Sequence, residues 1–191
     1  MQKIYDISLP ISPDMVVWPG DPKVAIRQMS SLEKGDSSNM SQIRMSVHTG
    51  THIDAPLHFL KRGKKIGEIP LNKLVGEVLV MEIDEDVDVI TRNDLEAHSQ
   101  LEALKNAHKV LFKTRNSMHL SSWASQFNKG YVALDTSGAE MLGELALDLV
   151  GVDYLSVAAF HDIHIPHQLL RRKEIVLLEG SNLLEVAAGT Y

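Results

Sequence analysis

Eleven consecutive residues hold the densest chemistry in the chain: His48-Thr49-Gly50-Thr51-His52-Ile53-Asp54-Ala55-Pro56-Leu57-His58. Imidazole nitrogen and carboxylate oxygen are donors for zinc and manganese alike, so three histidines and an aspartate so close together suggest a divalent metal site. Read as a strand, positions 48, 50, 52 and 54 share a face, because alternate side chains of a strand point the same way. Three of those positions are ligand types, and Gly50 between them leaves room for an ion or a substrate. Pro56 cannot donate to a ladder, so the strand should turn there. His58 falls just beyond that turn and can face the same pocket. The plain alternative is separate histidines satisfied by main-chain bonds. Their concentration here, in a chain of nine histidines, weighs against it.

The other side of such a site must come from elsewhere. His161, His164 and His167 recur at spacing three, and Glu179 ends an apolar stretch. A carboxylate closing a buried strand needs a partner, since an unpaired buried charge is costly, and a metal is a natural one. Spacing alone does not choose among the three histidines, and an exposed polar loop competes with the ligand reading. The chain has no cysteine, which excludes disulfides and thiolate ligands. It has neither a G-x-S-x-G elbow for a serine nucleophile nor a Gly-rich phosphate loop.

The elements that would position these residues read as follows. Lys3 to Leu9 and Ile43 to Val47 alternate as strands, the second running into His48. Val75 to Ile83 is nearly continuous in apolar residues, as a strand buried on both faces would be. Thr91 with Asp94 forms a capping box for a helix from about Arg92 to Lys105. Lys109 to Lys113, Tyr131 to Leu134, Asp153 to Val157 and Ile175 to Leu178 read as further strands. Ala139, Leu142, Leu145, Ala146 and Leu149 have helical spacing, with Thr136 or Ser137 as cap. Strands outnumber helices without clean βα alternation, so the expected fold is α/β with a mixed sheet and not a doubly wound nucleotide fold.

The 191 residues fit a single domain over 1–191. A net charge of -6 excludes nucleic acid as an expected partner. The densest cationic cluster, KRGKK at Lys61 to Lys65, reads as a solvated turn around Gly63. No apolar run is long enough to span a bilayer, and the N-terminus lacks the apolar stretch of a signal peptide. A cytoplasmic protein without membrane partners is therefore expected.

The segment HTGTHIDAPLHF resembles the signature of the cyclase-like metal hydrolases, a family that includes bacterial kynurenine formamidases and isatin hydrolases. The resemblance extends over nearly the whole chain, through WPGDP at Trp18 to Pro22, KTRNS at Lys113 to Ser117, GVDYLSV at Gly151 to Val157 and HQLLRRKEIVLLEG at His167 to Gly180. It implies a swivelling β/β/α domain, assembled as a homodimer or homotetramer. It implies two divalent ions per subunit, zinc or manganese. His48, His52 and Asp54 would hold one ion, Asp54 would bridge to a second on His167, and Glu179 would contribute to the pair. It makes His58 the general acid/base and Trp18 an aromatic wall for substrate. Two departures qualify it. The loop after Val157 reads AAFHDIH where kynurenine formamidases carry an Asp-Pro segment. The chain also stops at Tyr191 where members continue into another strand, which reads as a truncation or as a naturally short member.

The activity implied is hydrolysis of an aryl formamide, N-formylkynurenine to kynurenine and formate in tryptophan catabolism. A bound metal lowers the pKa of a water toward ~7, and that water attacks the amide carbonyl. Isatin or another cyclic amide is the alternative substrate, and a non-catalytic metal-binding scaffold the alternative class. The Trp18 loop, rich in Pro and Gly, is expected to reach across a subunit boundary, because such a loop buries an indole poorly within its own domain.

Overall fold

The computed structural model describes residues 3–119 and 126–191. Its centre is four parallel strands drawn from the most apolar stretches of the chain: β4 (Leu79–Glu82), β5 (Lys109–Lys113), β6 (Leu149–Val152) and β7 (Val176–Glu179). An antiparallel strand closes each side, β3 (His52–Asp54) beside β7 and β8 (Gly189–Thr190) beside β4, giving the order β3-β7-β6-β5-β4-β8. The expected mixed sheet in an α/β fold is what forms. Parallel neighbours need crossover connections. These carry helices α1 (Arg92–Ala97) and α2 (Leu101–Asn106), then α3 (Arg115–Met118) and α4 (Thr136–Glu144), then α5 (His164–Arg172).

The two-residue period of the strands sorts the core into two layers. Leu79, Met81, Val110, Phe112, Val150 and Leu177 pack with Leu95, Leu142 and Leu170 of the helices. Val80, Leu111, Leu149 and Val176 face the other way, onto Leu183, Val186 and the N-terminal Tyr5 and Ile7. Apart from this body stands an antiparallel ribbon of β1 (Ala25–Ser30) and β2 (Met40–Arg44), with Ile26, Met29, Met40 and Ile43 exposed. No helix among the described residues is long and apolar enough to cross a membrane.

Several elements differ from the sequence expectation. Lys3 to Leu9 forms no strand; it covers a sheet face, with the Ile7 carbonyl accepting from Asn182 N at 2.8 Å. Tyr131 to Leu134 is buried but makes only isolated bridges, so its apolar run reports burial and not sheet pairing. The helix expected from Arg92 to Lys105 breaks at His98, whose Nδ1 accepts the Gln100 N–H at 3.0 Å in place of a main-chain partner. The Thr91–Asp94 capping box is present. α4 ends at Glu144 and is capped by Asp135, which accepts from Gly138 N at 2.7 Å. The strand expected at Asp153 to Val157 is β6, four residues earlier.

Candidate metal centre

β3 and β7 build the floor of the site. Their antiparallel register sets His52 directly opposite Glu179. His52 and Asp54 lie two residues apart on β3 and share a face, as alternation requires. His48 is not on that strand. It reaches the same place from a turn in which Gly50 adopts φ +68°, a conformation glycine takes without strain. Gly50 does not open space for a ligand either. A Cβ there would meet Ile11 Cδ1 at 2.7 Å, and its carbonyl lies against Gly180. Thr51 locks this crossing: its hydroxyl donates to the Gly180 carbonyl at 2.5 Å and accepts from Leu9 N at 2.8 Å. Pro56 ends the strand as expected, and the short 3-10 turn Pro56–His58 delivers His58.

The donor atoms converge. His48 Nδ1 lies 2.7 Å from Asp54 Oδ1 and 3.2 Å from His52 Nε2. His52 Nε2 is 3.5 Å from Asp54 Oδ1 and 3.7 Å from Glu179 Oε2. His58 Nε2 is 3.9 Å from Asp54 Oδ2. His167 Nε2 approaches Glu179 Oε1 at 3.2 Å. Of the three candidate histidines in HDIHIPH, His167 is buried; His164 lines the pocket, and His161 is exposed outside it. Two clusters have ligand-atom spacing among the described residues: His48 with Asp54 and His58, and His52 with Asp54 and Glu179. Asp54 belongs to both.

Two features fit these residues to a divalent ion. His52 Nδ1 lies 3.0 Å from the Gly50 carbonyl and His167 Nδ1 lies 2.6 Å from the Ile163 carbonyl. A carbonyl only accepts, so each Nδ1 carries a hydrogen, and in the unprotonated ring each Nε2 presents a lone pair, the usual arrangement behind a ligating histidine. Asp54 Oδ1 is fully buried and makes no well-formed hydrogen bond, although His48 stands beside it.

The electrostatics follow from that crowding. The Asp54 carboxylate beside it, 2.7 Å away, holds the His48 imidazolium above its ordinary range, against the opposing effect of burial. Burial pushes His52 down, but Asp54, Glu179 and the Gly50 carbonyl more than offset it and leave it raised. Burial would raise Asp54; His48, His52 and Arg171 together hold it far below the usual carboxylate range. His58 is pushed down, chiefly by burial, with the neighbouring rings of His48 and His167 adding to it against the opposing pull of Asp54.

A pocket of about 500 Å³ opens onto these groups, walled by Trp18, Phe59, Leu155 and Ile163 and bordered by Asp21 and Gln168. Trp18 lines it as expected, but the loop finds company in its own chain. The indole packs edge-on to Phe127 at 5.0 Å and beside Phe160 at 5.5 Å, which removes the reason for expecting it to reach a neighbouring subunit. Phe59 stacks on the His167 ring at 4.2 Å and pins it. Sequence reasoning passed over Phe59 and also Arg171, which is buried with Nη2 3.2 Å from Asp54 Oδ2. The signal for Arg171 was its place four residues after His167, on the same face of α5.

Comparison with known proteins gives a consistent picture. The Cyclase family model matches residues 5–159. Cyclase-like protein 3 of Oryza sativa subsp. japonica is 34% identical over 197 residues, covering 99% of this chain and 72% of the relative. A solved structure described as a potential metal-dependent hydrolase with cyclase activity superposes with a TM-score of 0.80 at 31% identity, covering 99% of this chain and 86% of the other. Isatin hydrolase A from Labrenzia aggregata, bound to benzyl benzoate, has a TM-score of 0.79 at 21% identity, covering 99% and 84%, and shares the fold.

Proposed function

The chain belongs to the Cyclase family, and we propose that it is a metal-dependent hydrolase of an amide C–N bond, acting on an aryl formamide such as N-formylkynurenine. The observation that carries this reading is the convergence of His48, His52, Asp54, His167 and Glu179 on one pocket with an aromatic wall. The solved relative described as a potential metal-dependent hydrolase supports it.

When bound, a divalent ion supplies Lewis acidity, polarising a carbonyl and acidifying water. His48, His52 and Asp54 would hold it, with Glu179 across from His52. Zinc or manganese suits these donors. His58, kept neutral by its lowered pKa, takes the proton of the attacking water and returns it to the leaving nitrogen. Trp18 and Phe59 give a flat aryl group faces to stack on. An anilide nitrogen leaves more readily than an alkylamide nitrogen, which is why the aryl formamide is preferred.

Protein stripped with a chelator and reloaded with zinc or manganese should hydrolyse N-formylkynurenine and formanilide only when loaded. Full turnover in the presence of chelator would refute the reading. Turnover of isatin without the formanilides would move the substrate class to cyclic amides, and metal binding without turnover would favour a scaffold. Assembly as a dimer or tetramer in the cytoplasm is proposed alongside, the assembly supported by the apolar side chains that the β1–β2 ribbon exposes. Light scattering tests it.

A further inference from the structure

Among the described residues, the largest fully buried side chain is that of Arg171. It projects from α5 one turn after His167. Its Nη1 donates to the main-chain oxygen of Asp54 and its Nη2 lies 3.2 Å from Asp54 Oδ2. Asp54 is the one carboxylate within ion-pair distance of it among the described residues, and its Nε makes no hydrogen bond. A guanidinium is expensive to bury. This one sits beside the carboxylate that both donor clusters share.

The position divides the two oxygens of Asp54. Oδ1 faces His48 at 2.7 Å and His52 at 3.5 Å. Oδ2, the oxygen a bridging carboxylate would give to a second ion, faces Arg171 at 3.2 Å, with His58 Nε2 farther off at 3.9 Å. On the far side His167 and Glu179 are already in contact with each other. His167 Nε2 meets Glu179 Oε1 at 3.2 Å, that oxygen already accepts Val157 N at 2.9 Å, and His167 belongs to neither three-residue donor cluster. Charge points the same way. Asp54 and Glu179 bring two negative charges and Arg171 one positive, so with neutral imidazoles the donor groups together with Arg171 are singly negative. One divalent ion makes the set singly positive. A second would raise it to three beside the buried Arg171, where like charges repel.

We propose that Arg171 takes the place of a second cation: it turns one oxygen of Asp54 toward the histidines and makes this a one-ion site. Arg171 is thus a positioning residue, acting through Asp54. The inference rests on the metal-hydrolase reading but is tested by counting ions, not by turnover. Metal-free protein is titrated with zinc and with manganese by calorimetry, and bound metal is measured after gel filtration. The wild-type chain should retain one ion, with any second at least tenfold weaker. Arg171→Met, which removes the charge and keeps much of the volume, should strengthen the second binding event about tenfold or more. Arg171→Lys, which keeps the charge, should leave one ion. Two ions of equal affinity in the wild type overturn the proposal even if Arg171→Met does not fold, and so do equal stoichiometries in Met and Lys variants that both fold. A wild type that binds no ion overturns it together with the metal-hydrolase reading.

Discussion

The two halves of the site are held in different ways. His48, His52, Asp54 and His58 come from one short segment, a three-residue edge strand between two turns, and the His48 and His58 side chains are 28% and 40% exposed. His167 and Glu179 come from a helix and an interior strand, with side chains 2% and 5% exposed. Each buried group is fixed by the main chain, His167 through the Ile163 carbonyl and Glu179 through Val157 N. The rear half is therefore a rigid wall, and the front half is where solvent and substrate arrive. A change in the rear should cost fold and metal together. A change at the solvent-facing His48 or His58 should cost chemistry or binding while leaving the fold.

Asp54 joins the two halves, and its loss should have the largest effect. Asp54→Ala removes the carboxylate shared by both donor clusters and leaves the buried Arg171 without its ion pair. An uncompensated buried charge costs about 3–5 kcal/mol. The variant should lose bound metal and all measurable turnover, and unfold at markedly lower temperature. Thermal unfolding with metal analysis checks this. A variant that keeps its metal and its melting temperature would mean Asp54 does not join the halves.

His58 tests the front half alone. His58→Ala should keep its ion and its melting temperature and lose about 10²–10⁴-fold in kcat, the usual worth of a positioned acid–base group. Its Nε2 stands 3.9 Å from Asp54 Oδ2, outside hydrogen-bond reach and free to face a substrate. Loss of metal in this variant would make His58 a ligand of the cluster it shares with His48 and Asp54.

The same contrast explains what was legible in the sequence. The front half is local: two residues apart on a strand means one face, so His52 and Asp54 were readable from spacing. His48 reaches the same pocket as His52 and Asp54, but the turn at Gly50 brings it there and not strand alternation. The rear half depends on the antiparallel pairing of β3 with β7, a contact between residues 127 apart at His52 and Glu179. No period in the sequence encodes that pairing, which is why His161, His164 and His167 could be separated only by resemblance. Arg171 was missed because a basic residue in an RR pair reads as solvated surface, and only the tertiary pairing buries it. Of the fold, Lys109–Lys113 and the Thr91 cap were readable because propensity and pattern agreed there. Tyr131 to Leu134 misled because burial, not pairing, made it apolar.

The coupling of the halves should also appear in pH. Asp54 raises His48, and Asp54 with Glu179 leaves His52 raised against burial, so in the metal-free chain these rings favour their protonated forms. The stability they contribute there is present below the ordinary histidine pKa and fades as pH rises through their raised values. An ion needs the rings unprotonated and competes with those protons. Metal affinity should therefore climb from pH 6 to pH 8, by up to about tenfold per pH unit for each proton displaced. Calorimetry in buffers of different ionisation enthalpy counts those protons. Affinity flat across this range would show that the rings are not displaced by metal.

The smallest expected effect lies at the front rim, on Trp18. The indole lines the same pocket as the donor cluster and is held by Phe127 and Phe160, so it is both a wall and a packed residue. An aryl group stacked on it gains about 0.5–1.5 kcal/mol beyond the area it buries, a factor of roughly two to twelve. Trp18→Ala should raise KM for formanilides by about that factor and leave kcat within a small margin, because binding surface goes and no reacting group moves. Small aliphatic formamides, with no ring to stack, should show little change. Trp18→Phe keeps an aromatic face and should recover most of the loss. If KM rises equally for aryl and aliphatic substrates, or kcat falls while KM holds, then Trp18 acts through its packing on Phe127 and Phe160. The aromatic wall would then belong with the rigid half of the site.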